Sequence, residues 1–333
     1  MLKDIFKRDV VLNVIEKVPV SLLCKLSPTN LIIPYYHMIN DEEVLHLKYL
    51  YTYKNKKQFI EDIDYLLKYY NPITIHELLA HIKEFRQFTK PSFLLTFDDG
   101  FRELYDVVAP ILYEKGVPAV FFINSAFINN KELCYLHKAS IIIEHLKNTD
   151  TLGVKERINE ILKRTGQSDL DVSAAILSIG YQDRHIIDEL AVCSGYDFDS
   201  YLSGKKPYLD SEKIETLIQR GFDFGAHSVD HPFYKSIPLQ EQIRQTSESL
   251  DWLKNNFPIT YGAFAFPHSD SGVTEDYFHE MREGGGVQVF FGTGGMMNRN
   301  LTDRLQRFSL EKPVLPAKRI LAYQYIREAW YRW

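Results

Sequence analysis

Short apolar segments rich in β-type residues alternate with amphipathic helical patterns along most of this chain. Strand, helix, strand is the unit from which parallel sheets are built, so the chain is predicted to be an α/β protein. The predicted strands cover residues 31–39, 92–100, 117–124, 223–227, 262–267, 287–293 and 307–311.

The segment from about residue 130 to residue 205 interrupts this alternation. It contains only helical patterns separated by polar joints, and we interpret it as a helical insertion. The insertion lies within a barrel-like α/β domain at residues 31–311. An N-terminal helical segment at 1–30 and a C-terminal aromatic-rich helix or tail at 312–333 are predicted to flank that domain.

The composition disfavours several classes of protein. The 333 residues include 39 Lys and Arg against 44 Asp and Glu, a net charge of −5. Nucleic acid is disfavoured as a partner, because phosphate backbones are bound by clustered Lys and Arg. Cys24, Cys134 and Cys193 form no CxxC pair, which argues against a disulfide framework or a structural zinc knot.

Neither a signal peptide nor a membrane-spanning segment is predicted from the sequence. Asp4, Asp9 and Glu16 interrupt the apolar N-terminal region, and no stretch reaches the roughly 18 apolar residues of a membrane helix. We therefore expect a cytoplasmic protein. Peripheral membrane association through an amphipathic N-terminal helix is the alternative.

Three predicted strands end in residues suited to one site. Asp98 and Asp99 close the first, His227 and His231 lie at the end of the second, and Pro267-His268 closes the third. Catalytic groups of α/β sheets and barrels cluster at the carboxyl ends of strands, so these residues are predicted to share an active site.

The spacing of His227 and His231 favours a metal site. Residues four apart on one helical turn aim their side chains the same way. Two imidazoles and one carboxylate form a three-ligand site that zinc and other divalent metals accept. The HxxxH pair alone is also compatible with two unrelated histidines, and Asp-Asp-Gly is a common turn. Together they favour metal-assisted hydrolysis, with one aspartate as ligand and the other as base.

The motifs TFDDG (96–100), HSVDH (227–231) and FAFP (264–267) resemble the successive motifs of the polysaccharide deacetylase family, also called NodB-homology or carbohydrate esterase family 4. The resemblance implies a distorted (β/α) barrel with fewer than eight complete units. It also implies a hydrolase that removes N-acetyl, or O-acetyl, groups from an amino-sugar-containing glycan or glycan precursor. Asp98 would be the general base. Asp99, His227 and His231 would hold a divalent metal, with zinc favoured over cobalt, nickel, manganese or iron.

The chain departs from the family pattern at its third motif. An Arg that orients the base usually precedes the Pro, but residues 262–266 contain none, and Arg307 on the last predicted strand is the candidate for that role. His268 stands where the family has an aromatic after Pro267. Its backbone N–H would still serve as an oxyanion donor.

The general acid of the family, normally a His in a late Leu-x-His motif, is also missing, since no His follows His279. A circularly permuted branch of the family, the exopolysaccharide deacetylases, instead begins with a strand ending in Tyr-His. PYYHMI places His37 there, and an amine leaving group requires an acid in the pKa range of His. The alternative is a buried structural His37 that donates to a backbone carbonyl.

Two other functions stay open from the sequence. The missing Arg favours a non-catalytic glycan-binding or scaffold protein on the same fold. The ligand set is shared with two-His-one-carboxylate iron oxygenases, although their close His-x-Asp pair is absent from the sequence. The remaining histidines are predicted to be surface groups: His46, His76, His81, His137, His145, His185 and His279.

Overall fold

The computed structural model describes Leu22 and residues 30–149, 152–164, 166, 170–284, 286–296, 298 and 301–330. The helical segment predicted at residues 1–30, apart from Leu22 and Asn30, lies outside the described residues.

A parallel β-sheet forms the centre of the molecule. Its spatial order is β10-β9-β8-β7-β6-β5-β2-β11, and β1, β4 and β3 form a smaller parallel sheet. The strands are β1 (Leu31–Ile32), β2 (Pro34–Tyr36), β3 (Asn71–Pro72), β4 (Ser92–Phe93), β5 (Leu95–Phe97), β6 (Ala119–Ile123), β7 (Asp223–Ala226), β8 (Ala263–Ala265), β9 (Val289–Gly292), β10 (Arg304–Gln306) and β11 (Phe308–Ser309).

One continuous stretch of chain closes this sheet into a barrel. β10 pairs with β9, with Leu305 opposite Phe291, and β11 pairs with β2, with Phe308 opposite Pro34. Because only Arg307 separates β10 from β11, this stretch hydrogen-bonds to both edges of the sheet. The predicted distorted (β/α) barrel is confirmed.

The strands are apolar because both of their faces are buried. Every residue of β6 is buried, as expected for a parallel strand between a barrel interior and surrounding helices. Polar residues begin where the strands end, which is why the acidic and imidazole side chains of TFDDG and HSVDH collect at one end of the barrel.

Twelve α-helices lie in the described part of the chain. Capping boxes at Asn55 and Thr74 begin α1 and α2, and Gly116, at φ 66°, ends α3. The helices are α1 (Lys56–Tyr69), α2 (Ile75–Lys83), α3 (Ala109–Lys115), α4 (Tyr135–Lys147), α5 (Leu152–Lys163), α6 (Val172–Leu177), α7 (His185–Ser194), α8 (Phe198–Lys205), α9 (Ser211–Gln219), α10 (Leu239–Asn256), α11 (Glu275–Glu283) and α12 (Ala317–Trp330).

Helices α4 to α8 occupy the segment predicted as an insertion and have an apolar core of their own. Ile142, Ile176 and Ile187 are fully buried there, separate from the barrel core. A third apolar cluster, which includes Phe101 of the barrel and Leu202 of α8, joins the barrel to the insertion. In the described ranges, no helix combines the length and apolarity needed to cross a bilayer.

Candidate active site

Asp98 lies at the carboxyl end of β5 and is held by Arg307. Its Oδ1 accepts from Nη1 of Arg307 at 2.7 Å and its Oδ2 from Nη2 at 2.9 Å. Arg307 is fully buried, and its Nη1 also donates to the Thr96 hydroxyl at 3.2 Å. Burial is the largest single influence and raises the pKa of Asp98, but the charge and hydrogen bonds of Arg307, together with the nearby His227 and His37, outweigh it and hold the pKa below its ordinary value. Asp98 is therefore an oriented, ionised carboxylate.

Asp99, His227 and His231 converge beside this pair. Oδ1 of Asp99 lies 3.6 Å from Nε2 of His227 and 3.3 Å from Nε2 of His231. All three residues are buried, and one ligand atom from each lies within 4.8 Å of the others. The structure thus brings together the three residues that the sequence proposes as metal ligands.

The donor atoms fit a divalent cation. Oδ1 of Asp99 is buried and has no hydrogen-bond partner among the described residues. Nδ1 of His227 donates to the carbonyl oxygen of Ala265 at 2.8 Å. In the neutral imidazole, Nε2 therefore carries the free lone pair, and this atom lies on the side of Asp99, where it is available to a metal. Burial lowers the pKa of His227 to about 4, which keeps this imidazole in the neutral form that binds metals.

The HSVDH loop, residues 227–231, is not the helical turn expected from its spacing. The backbone bends there, with φ of 72° at Ser228 and 64° at His231. The Ser228 hydroxyl accepts from the His231 N–H at 3.0 Å, which stabilises the bend. The two imidazoles reach the same carboxylate through this turn, so the prediction of a shared site does not depend on a helix.

His37 follows β2 and is paired with Glu311, a residue that the sequence reasoning missed. Nδ1 of His37 is 2.6 Å from Oε2 of Glu311, whose Oε1 accepts from the backbone N–H groups of His37 and Met38. Burial is the largest single influence and lowers the pKa of His37, but the charge and hydrogen bond of Glu311, together with the charges of Asp99 and Asp98, outweigh it and raise the pKa to about 9. His37 is therefore a cation at neutral pH. Its partner is a carboxylate, not the backbone carbonyl of the alternative interpretation.

Glu311 also fits the rule that catalytic groups of α/β barrels lie at the carboxyl ends of strands. It lies just beyond β11, at the carboxyl end of a barrel strand, where β11 runs beside β2.

Pro267 and His268 follow β8 and lie next to the metal-ligand cluster. The His268 imidazole packs edge-on against that of His231, with ring centroids 4.7 Å apart. The backbone of His268 has a φ of 57°, and its carbonyl accepts from the Thr293 hydroxyl at 3.0 Å. The His268 segment is thus fixed at the rim of the site.

A cavity of about 460 Å³ opens beside these groups. The barrel supplies His37, Asp99, His231 and His268 to its wall, and the insertion supplies Leu136, His137 and Leu177. The remaining lining residues are Tyr35, Tyr49, Leu50, Tyr51, Phe127 and Cys134. Aromatic and apolar walls around a few polar groups are typical of small-molecule sites.

His46 and His137 are buried, so the prediction that they are surface groups is wrong. Nδ1 of His46 is 3.0 Å from the Tyr201 hydroxyl, and Nδ1 of His137 is 2.6 Å from the Tyr208 hydroxyl. Both imidazoles pack against Phe101. Burial lowers the pKa of both. His76, His185 and His279 are exposed as predicted.

The fold and site define a hydrolase-type α/β barrel with its polar centre at the carboxyl ends of the strands. The family model described as polysaccharide deacetylase matches residues 86–289, more than half of the chain. The chain belongs to this family and is a carbohydrate deacetylase by class. The resemblance to the polysaccharide deacetylase family is thereby confirmed. No curated protein matches the chain significantly.

Solved structures share the fold across almost their whole length. The Streptococcus pyogenes deacetylase PplD in complex with acetate has a TM-score of 0.56 and 15% identity, covering 88% of this chain and 97% of that one. IcaB from Ammonifex degensii has a TM-score of 0.56 and 15% identity, with 89% and 96% covered. A de-N-acetylase from Aggregatibacter actinomycetemcomitans has a TM-score of 0.52 and 13% identity, with 84% and 94% covered.

Proposed function

We propose that this protein is a metal-dependent hydrolase that removes N-acetyl groups from an amino-sugar-containing glycan or glycan precursor. One observation carries the proposal: a base and an acid of opposite charge meet at one metal-ligand cluster. Asp98 is held by Arg307 next to Asp99, and His37, held by Glu311, shares a cavity with Asp99 and His231.

Asp99, His227 and His231 would hold the divalent cation, with zinc favoured by the nitrogen-rich donor set. When bound, such a cation polarises the acetyl carbonyl and lowers the pKa of water.

The chain's own residues supply the proton transfers. Asp98 removes a proton from the attacking water while the water oxygen bonds to the acetyl carbon. The backbone N–H of His268 donates to the oxyanion that forms. His37 then protonates the amide nitrogen, the carbon–nitrogen bond breaks, and acetate and a free amine leave. Arg307 and Glu311 keep the base and the acid oriented.

The buried Arg307 removes the main argument for a non-catalytic scaffold. That alternative rested on the missing third-motif Arg, but a guanidinium reaches Asp98 from the last strand. Arg307 is thus our proposal for the orienting role.

The decisive experiment is an acetate-release assay on metal-loaded protein with a panel of N-acetylated glycans. We expect wild-type turnover on at least one member. Asp98→Asn should retain the metal but lose turnover, whereas His227→Ala should lose both. A wild-type protein that binds zinc yet releases acetate from no member of the panel would refute the proposed function.

A further inference from the structure

The Tyr51 hydroxyl is a polar group in the cavity wall that the proposed mechanism does not use. Tyr51 lies on the connection between β2 and α1 and lines the cavity. Its hydroxyl oxygen is buried, and within the described ranges no hydrogen-bond partner reaches it. A buried hydroxyl without a partner is costly in a native protein, so this group calls for a partner other than the described residues.

The neighbouring Tyr49 provides a contrast within the same cavity wall. Its hydroxyl donates to Oε2 of Glu144 at 2.5 Å and accepts from Nζ of Lys147 at 2.9 Å. Both partners belong to α4 of the insertion. The Tyr49 hydroxyl is therefore satisfied by the fold, whereas that of Tyr51 is not.

Tyr51 is also close to the reacting groups. Its ring centroid lies 5.1 Å from that of His37, and Asp99 and His231 line the same cavity. Burial, with the charges of Asp99 and Glu311, raises the pKa of Tyr51 well above its ordinary value. The hydroxyl thus stays protonated and serves as a hydrogen-bond donor.

We propose that Tyr51 is a substrate-binding residue whose hydroxyl donates a hydrogen bond to an oxygen of the N-acetylated sugar. The inference rests on the proposed function. A ligand oxygen in the cavity would satisfy this donor, in the way that ordered water satisfies buried polar groups in other proteins. The phenol ring also offers the sugar an apolar surface beside the acid His37.

The test compares Tyr51→Phe with wild type on an N-acetylglucosamine oligosaccharide. This change removes the hydroxyl and keeps the ring against His37. We expect kcat/KM to fall about three- to tenfold, with zinc affinity and Tm unchanged. The same oligosaccharide should bind more weakly to Asp98→Asn/Tyr51→Phe than to Asp98→Asn by a similar factor. Tyr113→Phe, on an exposed side chain of α3, is the control and should match wild type.

The outcomes separate the inference from the proposed function. Active wild type with unchanged kcat/KM and binding in Tyr51→Phe overturns the inference alone. A kcat/KM loss matched by an equal loss of zinc affinity also overturns it, because it indicates a structural role. A wild type that releases no acetate refutes the proposed function and this inference with it.

Discussion

Arg307 joins two parts of the chain that are distant in sequence. Its guanidinium forms two parallel hydrogen bonds with Asp98 and lies over the Tyr35 ring, 4.9 Å from the centroid. Such a fork fixes the direction of a carboxylate as well as its charge. A buried carboxylate without this partner would be costly and protonated more readily.

Arg307→Lys should therefore reduce activity while keeping the positive charge. An ammonium group cannot donate the same bidentate pair, so Asp98 loses its fixed direction, and we expect kcat to fall roughly 10- to 100-fold. Zinc affinity should stay near wild type. The matched control is Arg304→Lys. Arg304 lies on the preceding strand, β10, and is paired with an exposed carboxylate, Glu275. Equal kcat in wild type and Arg307→Lys would argue against the orienting role.

The pairing of His37 with Glu311 predicts a specific pH dependence. The raised pKa of His37 keeps this acid protonated through neutral pH, and the enzyme loses turnover as the pH rises through that pKa. In Glu311→Gln the anion is gone while the burial that lowers the pKa remains. The basic limb of kcat/KM should therefore move to lower pH by about one unit or more.

The shift between variants is the quantity to measure, because a cation held by Asp99, His227 and His231 would lower the pKa of His37 in both proteins. Glu248→Gln, which removes an exposed carboxylate paired with Arg244, controls for the change in net charge. A basic limb at the same pH in Glu311→Gln and wild type would contradict the pairing.

Sequence alone could identify Asp98, Asp99, His227 and His231 because each lies in a local motif at the end of an apolar strand. Arg307 and Glu311 carry no local signal for their partners, which are 209 and 274 residues away. Their contacts exist only because one stretch of chain closes the barrel between its first and last strands. That closure depends on the packing of the whole barrel, which no short pattern encodes.

The insertion contacts the HSVDH loop directly. The Tyr181 hydroxyl lies 2.8 and 2.7 Å from the two carboxylate oxygens of Asp230, which sits between the two proposed histidine ligands. Nε2 of Gln245, on α10, donates to the same carboxylate at 2.6 Å, and its Oε1 accepts from the Val229 N–H. Asp230, which precedes His231 in the sequence, is thus held by groups from both the insertion and the barrel.

Tyr181→Phe should weaken the binding of zinc without unfolding the protein. Residues that orient metal ligands typically affect affinity by about tenfold or more, and Tyr181 acts one step further away, so we expect roughly a three- to tenfold rise in Kd. Tyr196→Phe, also in the insertion, should leave the Kd unchanged. Calorimetric titration of zinc into the three proteins provides the measurement, and identical Kd values would exclude the coupling.

At the level of elements, strongly apolar strands were predictable and short or irregular ones were not. β6 and β9 lie within predicted strands because burial on both faces makes them continuously apolar. β3 is two residues long and contains Pro72, so its sequence has no strand pattern. The turn of the HSVDH loop depends on the Ser228 hydroxyl and left-handed backbone, which the four-residue spacing of its histidines does not reveal.

The described residues form a barrel core and an insertion core, joined by a third apolar cluster, and both the barrel and the insertion contribute to the wall of the cavity. The barrel core supports the proposed catalytic residues. The insertion core packs together α4, which carries Leu136 and His137 of the cavity wall, and α6, which carries Leu177. Loss of the insertion core should therefore open the cavity without dispersing the groups proposed to hold the metal.

Ile187→Ala tests this division of the molecule. Ile187 is fully buried in the insertion core, and truncating such a side chain costs about 2–5 kcal/mol. Since the insertion has its own core, the loss of stability should appear first as local opening of the insertion. Relative to wild type, amide hydrogen exchange should accelerate more in α4 and α7 than in β5, β6 and β7. KM for the glycan should rise, and zinc affinity should fall by no more than in Tyr181→Phe, because the insertion reaches the HSVDH loop through the Tyr181–Asp230 contact. Leu217→Ala, in the barrel core, should instead accelerate exchange throughout the barrel strands. If amide exchange in Ile187→Ala accelerates equally in the insertion and in the barrel, the two unfold as one cooperative unit.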